Sequence, residues 1–381
     1  MMPCENNQIV EGQSYDIAVI GAGAVGMSVA YGLTKLGQTV CVVDEGDIAF
    51  RASRGNFGLI WVQGKGARHR AYGRWTLKAA SQWPDLAAEL LNQTGVDVGL
   101  SNPGGFTICL DEQELQARVE LLDAMRDLVG DQFEYQVLSP AQTQERLPAV
   151  GSEIAGSVFC PLDGHVSPLM LLRALFKAHT TAGGAWMVGQ AVSAIEPQLS
   201  GGYLIRAGNR SVGARKIVLA AGLGNRALAA PLGLEVPIRP VRGQILITER
   251  MAPFLHYPTL HVRQTSDGTV QIGDSKEEVG LDDQTTLIQL SRIAQRASHC
   301  FPCLAGVNVV RSWGALRVMS QDGYPIYAES LLHSGAYVVT CHSGITLAPL
   351  HAGPIADWIA SEVMPGSLSD FSLSRFHVQT H

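Results

Sequence analysis

The chain has 381 residues, of which 46% are hydrophobic and 16% charged, and its formal net charge is −6. This length predicts two or three domains with ample apolar material for their cores, and the negative charge argues against nucleic acid as a partner, since phosphate binding needs a basic surface. The sequence contains no run of about 18 uncharged apolar residues, so we expect no transmembrane helix. The first residues have neither the basic nor the apolar region of a signal peptide, so we expect a cytoplasmic protein.

The seven cysteines are odd in number and widely scattered, which does not fit a disulfide framework. Cys300 and Cys303 have the spacing of a metal or redox pair, but one pair cannot complete a tetrahedral metal site. An iron–sulfur cluster needs about four thiolates, and no such set stands out in the sequence. We therefore predict no metal site, and electrons that leave this protein singly would need another chain to carry them.

The N-terminal region predicts a strand–helix–strand unit. A polar arm, residues 1–13, precedes a short apolar strand over 15–20. Residues 24–36 have helical spacing and are followed by Gly37, a suitable residue for a left-handed helix end. A second buried strand is predicted over 39–43, which completes a βαβ unit of about 30 residues.

Further elements follow from the periodicity of the apolar residues. Ser167 and the proline after it predict the start of a helix that reaches about Thr180. Other helices are predicted over residues 70–95, 111–129, 283–298 and 347–363. Strands are predicted within residues 105–110, 186–222, 236–275 and 336–340.

Segments typical of a nucleotide-binding sheet occur at the start, in the middle and at the end of the chain. This distribution indicates a domain that is interrupted in the sequence. We expect residues 14–80, 151–235 and 311–381 to form it, and residues 81–150 and 236–310 to form an inserted substrate-binding domain.

Gly21, Gly23 and Gly26 follow the first strand and open the first helix, which is the context of a dinucleotide-binding turn. Gly21 permits the tight turn, Gly23 lets the backbone approach a pyrophosphate, and Gly26 lets the helix pack closely on the strand. The N–H groups at the helix N-terminus attract phosphate. Asp44 lies 18 residues beyond Gly26, where a carboxylate can bind a ribose hydroxyl pair. The turn alone does not decide between FAD and a nicotinamide.

Five later segments carry a family resemblance: residues 51–58, 240–244, 311–317, 322–325 and 342–349. Together they resemble the D-amino-acid oxidase superfamily of FAD amine oxidoreductases, which includes glycine oxidase and sarcosine oxidase. The stretch from Arg51 to Lys65 is most similar to the flavin subunit of opine (octopine and nopaline) oxidases. The β subunit of D-hydroxyproline dehydrogenase is an equally similar type.

The resemblance implies an α/β fold: a doubly wound, Rossmann-like FAD-binding domain beside an antiparallel substrate sheet, with the isoalloxazine where the two meet. It also implies non-covalent FAD, an amino- or imino-acid substrate, and additional subunits that pass electrons onward through iron–sulfur clusters. A second flavin, FMN, at a subunit interface is an open alternative. The expected reaction is oxidation of a C–N bond by hydride transfer to flavin N5.

The resemblance also implies roles for residues around the cofactor. Ser53, Asn56 and Gly58 would line the turn after the second strand, although a plain loop with Ser53 as a helix cap is the alternative. Val192 would lie beside the adenine or simply belong to the core, and Gly222 would sit in a small-residue turn near the cofactor. The turn formed by Gly344, Ile345, Thr346 and Leu347 would face the negative charge of reduced flavin, with Thr346 as helix N-cap.

Two residues are expected on the substrate side. Arg317 is the first candidate for binding a substrate carboxylate, because a guanidinium grips both oxygens; an ordinary salt bridge is the alternative. His342 stands where glycine oxidase has an arginine, and a histidine would respond to pH between about 5 and 8. Arg242 and Gln244 are expected to brace the seam between the domains.

These features favour the catalytic FAD subunit of an opine oxidase or dehydrogenase. Within enzymes, the alternatives are a D-hydroxyproline dehydrogenase subunit, a glycine or sarcosine type of oxidase, and a nicotinamide-dependent dehydrogenase that uses the same turn. A non-catalytic flavoprotein that relays electrons or assists assembly is the alternative from a different class.

Overall fold

A computed structural model describes residues 13–46 and 52–376 of the chain. The predicted N-terminal arm lies outside the described residues except for Gln13, and Arg51 also lies outside them. No helix in the described part of the chain is both long and apolar enough to cross a membrane.

The described strands and helices follow one another along the whole chain. The strands are β1 (Ser14–Ile20), β2 (Val40–Asp44), β3 (Leu59–Ile60), β4 (Gly105–Cys109), β5 (Gln136–Leu138), β6 (Gly156–Cys160), β7 (Gly164–His165), β8 (Ala185–Val188), β9 (Val192–Pro197), β10 (Tyr203–Ala207), β11 (Arg210–Leu219), β12 (Ile238–Arg250), β13 (Val262–Gln264), β14 (Thr269–Ile272), β15 (Val309–Ser320), β16 (Ile326–Glu329) and β17 (Ala336–Thr340). The helices are α1 (Ala24–Lys35), α2 (Arg70–Thr94), α3 (Glu112–Val129), α4 (Pro140–Arg146), α5 (Pro168–Thr181), α6 (Asn225–Ala229), α7 (Leu287–Cys300), α8 (Ala348–Leu350) and α9 (Ala356–Ser361).

The largest sheet has the order β16-β17-β11-β1-β2-β8, with β10 and β9 added beside β11. The five strands from β17 to β8 run parallel to one another, and β16 is antiparallel. Alternate residues of β1 point to opposite faces of this sheet. Ile17 and Val19 belong to the hydrophobic core on the side of α1 and α5, whereas Ala18 and Ile20 belong to the core on the side of β10. Burial of both faces explains why the central strands are apolar without interruption.

A second sheet is antiparallel, with the order β13-β14-β12-β15, and α7 packs on one of its faces. A smaller sheet, β4-β6-β5, is joined to it where Phe106 exchanges backbone hydrogen bonds with Pro258 and Leu260. A parallel nucleotide-type sheet beside an antiparallel part is the expected α/β architecture, which is therefore confirmed.

The expected domain boundaries cut across strand pairs. β6 pairs with β4 and β5, although residues 151–235 were assigned to the FAD-binding domain. β15 pairs with β12 along its length, although it lies almost wholly within residues 311–381. The division of the chain into two domains stays a prediction, but both of these strands hydrogen-bond to the antiparallel part.

Two helices depart from the periodicity of the sequence. α7 begins at Leu287 rather than at residue 283, because the preceding segment lies against β15, where a Cβ on Gly314 would be 2.4 Å from the Asp283 carbonyl oxygen. The predicted helix over 347–363 is divided by a π-helical turn, His351–Ile355, which contains Pro354. It ends at Ser361, before Glu362 in a left-handed conformation.

Candidate functional site

The carboxyl ends of parallel neighbours β1, β2, β11 and β17 meet at one edge of the large sheet. Gly21 follows β1, Asp44 ends β2, Gly222 lies just beyond β11, and His342 lies just beyond β17. Residues from both ends of the sequence are thus brought to one edge. Ligands of open α/β sheets bind outside the carboxyl ends of the strands, so this edge is the candidate site.

The glycine turn has the close contacts that its sequence predicts. Gly21 has φ +109°, and a Cβ there would lie 2.5 Å from the Ala220 carbonyl oxygen at the end of the neighbouring strand. A Cβ on Gly26 would lie 1.9 Å from the Gly21 carbonyl oxygen. Neither position can hold a side chain without movement of the backbone. Gly23 is the N-cap of α1 and supplies no side-chain hydrogen bond.

Side chains from two other segments meet the start of α1. The Ala24 N–H donates to Ser53 Oγ at 2.9 Å, and the Ala22 N–H donates to Asp44 Oδ2 at 2.7 Å. The first turn of α1 carries no acidic residue. No side chain of the helix itself therefore neutralises the positive end of its dipole. Ser53 acts as a helix cap, the alternative for this residue, at the same place where the glycine turn would receive phosphate.

Two more predicted residues lie along the same edge. Gly222 has φ +58°, and a Cβ there would be 3.3 Å from the Val318 side chain, so the turn after β11 faces the antiparallel sheet. Val192 is the half-buried first residue of β9. The segment before it contacts the end of β2, since Gly189 N–H donates to the Asp44 carbonyl oxygen at 3.0 Å. Its side-chain role beside adenine stays a prediction.

The loop that contains Asn56 and Gly58 connects the large sheet to the antiparallel one. The Gly58 N–H donates to Asn56 Oδ1 at 2.7 Å, and Gly58 has φ +88°. Trp313 on β15 donates from Nε1 to the Gly55 carbonyl oxygen at 3.1 Å. Arg263 on β13 donates to the Phe57 carbonyl oxygen. The loop is therefore fixed against one face of the antiparallel sheet.

The turn after β17 packs against the start of α1. A Cβ on Gly344 would lie 3.0 Å from Val25 Cγ2, and both Ile345 and Leu347 are buried. The predicted N-cap role of Thr346 is wrong. Leu347 occupies the N-cap of α8, without a side-chain cap, and Thr346 Oγ1 instead accepts a hydrogen bond from Trp61 N–H at 3.3 Å.

A buried polar cluster adjoins this turn, and sequence reasoning did not assign a role to most of its members. Ser343 Oγ lies 2.6 Å from Lys65 Nζ, 2.7 Å from Tyr72 Oη and 3.2 Å from His342 Nδ1. Lys65 was visible only as the last residue of the stretch that carries the family resemblance. Tyr72 gave no signal, because a tyrosine on a helical face is typical of a core.

His342 differs from its expected behaviour. Burial and the positive charges of Lys65, Arg317 and Lys276 hold its pKa well below the ordinary histidine value of 6.5. This lowering favours the neutral imidazole at neutral pH and disagrees with the expected response between about 5 and 8. Arg317, the other predicted substrate-side residue, is thus one of the cations whose charge acts on His342.

Arg317 lies on the face of β15 that also carries Trp313 and Ala315, because alternate residues of a strand share a face. Its guanidinium donates to the Ser275 carbonyl oxygen at 2.9 Å and forms an ion pair with Asp274. About a quarter of the side chain, 24%, is exposed. This ion pair is what the alternative for Arg317, an ordinary salt bridge, predicts, and the role of Arg317 in binding a substrate carboxylate stays a prediction.

Arg242 and Gln244 do not brace a seam between domains. Arg242 on β12 pairs with Glu277 at 2.9 Å and with Asp282 at 2.6 Å, and Gln244 Nε2 donates to Glu277 at 2.8 Å. These partners all belong to the segment that follows β14. The cluster fastens that segment to the antiparallel sheet, since a buried arginine must be paired.

Comparisons with known proteins agree with this geometry. The family described as FAD dependent oxidoreductase (DAO) matches residues 16–358. The chain belongs to this family. An opine oxidase subunit of Agrobacterium tumefaciens (strain Ach5) is 40% identical over 365 residues, which cover 96% of this chain and 98% of that protein. The corresponding opine oxidase subunit of Rhizobium meliloti is also 40% identical over 365 residues, with the same coverage of both chains.

A solved structure extends the likeness to three dimensions. The crystal structure of glycine oxidase from Geobacillus kaustophilus matches with a TM-score of 0.88 and 26% identity, over 95% of this chain and 99% of that chain. The resemblance found in the sequence is therefore confirmed, and the protein is an FAD-dependent oxidoreductase rather than a nicotinamide enzyme.

The described residues fit FAD at the carboxyl edge. The tight turn at Gly21 and Gly26 places the N-terminus of α1, whose N-cap residue Gly23 has no capping side chain, at this edge, where its N–H groups can attract a pyrophosphate. The Asp44 carboxylate, which accepts from two backbone N–H groups through different oxygens, keeps further lone pairs for a ribose. When bound, FAD supplies the redox chemistry, and the protein supplies position and electrostatics.

The segment that carries Lys65 is anchored by a buried carboxyl. Asp163 accepts from Val62 N–H at 2.5 Å and from Gln63 Nε2 at 2.7 Å, and Arg118 approaches the same glutamine. Burial raises the pKa of Asp163 to about 7, partly offset by these hydrogen bonds. Asp163 thus ties residues 62–65 to the turn before β7.

Replacement of Gly26 by alanine tests the glycine turn. The added Cβ would lie 1.9 Å from the Gly21 carbonyl oxygen, so the turn must open. Overpacking of this kind costs about 1–3 kcal/mol, and FAD binding should weaken by roughly tenfold or more. Fluorescence titration of the apoprotein with FAD measures this. Gly306→Ala is the matched control, because a Cβ there would meet no atom within 4 Å. Equal FAD affinity of the two variants would contradict the role of the glycine turn in FAD binding.

Asp163→Asn tests the buried carboxyl through pH. A carboxyl whose pKa is about 7 in the folded chain and 3.8 when unfolded makes the folded state bind more protons. Wild-type stability should then decrease relative to the variant as pH rises from about 4 to about 7, by at most about 4 kcal/mol. Urea unfolding of both apoproteins across this range checks the sign. A difference that is constant with pH would show that Asp163 does not titrate in that range.

Proposed function

We propose that this chain is the catalytic FAD subunit of an opine oxidase or dehydrogenase that acts on octopine or nopaline. The observation that carries the proposal is the 40% identity to the Agrobacterium opine oxidase subunit, which extends over nearly the whole of both chains. In this reaction a secondary amine loses two electrons and two protons. The resulting imine is then hydrolysed by water to an amine and a keto acid.

Arg317 and His342 are the residues that we assign to the substrate. The Arg317 guanidinium would bind a carboxylate, which must share or displace Asp274. The neutral His342 can accept a hydrogen bond from the amine N–H, which an imidazolium could not do. Bound FAD would take up the C–H hydrogen with its electron pair, and the amine proton would leave toward His342 or solvent.

The remaining assignments concern the cofactor and partners. We assign Ser53, Asn56, Gly58, Val192, Gly222 and the Gly344–Leu347 turn to non-covalent FAD, from their position at the carboxyl edge. Both opine oxidase relatives are named as one subunit of their enzyme, which supports assembly of this chain with further subunits. We propose that these subunits carry electrons onward through iron–sulfur clusters. FMN at a subunit interface remains an alternative without a located site.

A second candidate is a glycine or sarcosine type of oxidase, favoured by the match to the glycine oxidase structure. A D-hydroxyproline dehydrogenase subunit is a third, and it shares the same expected site. An electron-relay subunit is the alternative outside enzymes. It would keep its FAD oxidised in the presence of every amine.

A panel of amines separates these candidates. The FAD-loaded protein is mixed without oxygen with octopine, nopaline, D-hydroxyproline, sarcosine and glycine, and the flavin absorbance is followed. We expect bleaching with octopine or nopaline to be faster than with the other amines. Fastest bleaching by glycine, sarcosine or D-hydroxyproline would transfer the assignment to that substrate. Oxidised flavin throughout would support the relay.

Arg317→Ala tests the carboxylate assignment. Loss of a charged hydrogen-bonding partner should weaken substrate binding by about 2–4 kcal/mol, which is roughly 30- to 1,000-fold. The rate of bleaching as a function of substrate concentration gives the apparent Kd. Arg239→Ala, which removes another paired arginine of the same sheet, should leave that Kd unchanged. Unchanged affinity in Arg317→Ala would remove Arg317 from the role.

A further inference from the structure

Lys65 is a half-buried ammonium without a counter-ion among the described residues. Its Nζ lies 2.6 Å from Ser343 Oγ and 3.5 Å from Thr346 Oγ1, and both of these partners are neutral hydroxyls. In the described chain no carboxylate oxygen lies within 4 Å of Nζ. A buried charge is normally paired, because its desolvation is costly.

The ionisable groups that act on the Lys65 ammonium, Asp163 and Cys341, do not form a hydrogen bond or an ion pair with it among the described contacts. Asp163 and Cys341 contribute electrostatically to Lys65, but the Asp163 oxygens are already taken by Val62 and Gln63. Burial raises the pKa of the Cys341 thiol to about 12, so that the thiol stays neutral. Burial lowers the pKa of Lys65 itself to about 8. At pH 7 the side chain is still mainly protonated.

The position of this ammonium is fixed from both sides. Lys65 N–H donates to the Val62 carbonyl oxygen at 3.0 Å, in the segment that Asp163 anchors. Ser343, which binds Nζ, also contacts Tyr72 Oη at 2.7 Å. Ser343 directly precedes Gly344, which packs on the first turn of α1. The ammonium thus lies beside the turn that we assign to the flavin end of FAD.

Oxidation of a substrate by hydride transfer adds two electrons and one proton to the isoalloxazine, which leaves one negative charge on it. We propose that Lys65 supplies the positive charge that balances reduced FAD, and that Ser343 and Tyr72 are positioning residues that hold the ammonium beside the Gly344–Leu347 turn. The proposal rests on FAD as the cofactor and not on an opine as the substrate.

A half-buried cation with no carboxylate partner among the described residues is reasonable on this assignment. Reduced flavin would supply the anion that balances it. At an effective dielectric constant of about 20, two unit charges within about 10 Å interact strongly enough to change an equilibrium about tenfold or more. Lys65 therefore favours reduction without contacting the substrate.

Sulfite titration of the FAD-loaded protein measures this charge without any substrate. Sulfite adds to flavin N5 and places a negative charge on the same ring. We expect Lys65→Met to weaken sulfite binding about tenfold or more, and Lys65→Arg, which keeps the charge, to remain within about threefold of wild type. Lys78→Met, which removes an exposed lysine of α2, is the control and should not change the affinity.

The midpoint potential of FAD gives an independent readout. A tenfold loss in Lys65→Met corresponds to a potential lower by about 30 mV for a two-electron couple. If this variant does not retain FAD, Ser343→Ala keeps the charge but removes its anchor, and it should shift both readouts in the same direction by a smaller amount. Sulfite affinity and potential equal to wild type in the FAD-loaded variant would overturn the proposal.

The pH dependence distinguishes a charge from a structural role. The sulfite affinities of wild type and Lys65→Met should converge as pH rises through about 8, because neutral Lys65 carries no charge to lose. Burial raises the pKa values of Tyr72 and Cys341 and lowers that of His342, so these groups do not change charge there. Asp163, whose pKa is about 7, does gain negative charge between pH 7 and pH 8, so both proteins are also compared in the Asp163→Asn background, where this carboxylate is absent. A ratio that is constant from pH 7 to pH 10 would also overturn the proposal.

A role in substrate binding gives a different result. Were Lys65 a carboxylate ligand, Lys65→Met would raise the substrate Kd and leave sulfite affinity and potential unchanged, which would overturn the assignment to the flavin. Failure of every amine in the substrate panel, with the sulfite effect present, would instead reject the proposed reaction and keep the role of Lys65.

Discussion

The structure depends on the close approach of three backbone segments at the carboxyl edge of the large sheet. The turn at Gly21 passes so near the end of β11 that even one methyl group would meet the Ala220 carbonyl oxygen. Gly26 then lets α1 lie directly on that turn. Because α1 starts at this point, its positive N-terminus faces the edge where β2, β11 and β17 also end. Every other part of the site is arranged around this contact.

The loop over residues 52–58 connects that edge to the antiparallel sheet. Its backbone oxygens accept from Trp313 and Arg263, which belong to two different strands of that sheet. The loop also supplies Ser53 to the start of α1. One short segment thus connects the start of α1 to the antiparallel sheet that carries Arg317.

Burial sets the charge of the groups that meet at this place. His342 is kept neutral by desolvation and by neighbouring cations, whereas Lys65 keeps its proton near neutral pH among hydroxyl partners. A neutral histidine and a lysine with hydroxyl partners therefore belong to one hydrogen-bonded cluster around Ser343. Such a combination would suit a site where negative charge develops only during the reaction.

The sequence by itself determined the βαβ unit, the close backbone approach at Gly21 and Gly26, the family, and FAD as cofactor, because these depend on local backbone geometry and on motifs of adjacent residues. The helices α2, α3 and α5 also followed from periodicity and capping. Only the tertiary structure decided that β6 and β15 pair within the antiparallel part, that Thr346 is not a helix cap, and that Asp274 forms an ion pair with Arg317. It alone brought Lys65 and Tyr72 to Ser343, because contacts between residues hundreds of positions apart depend on strand order and on burial, which leave no periodic signal in the chain.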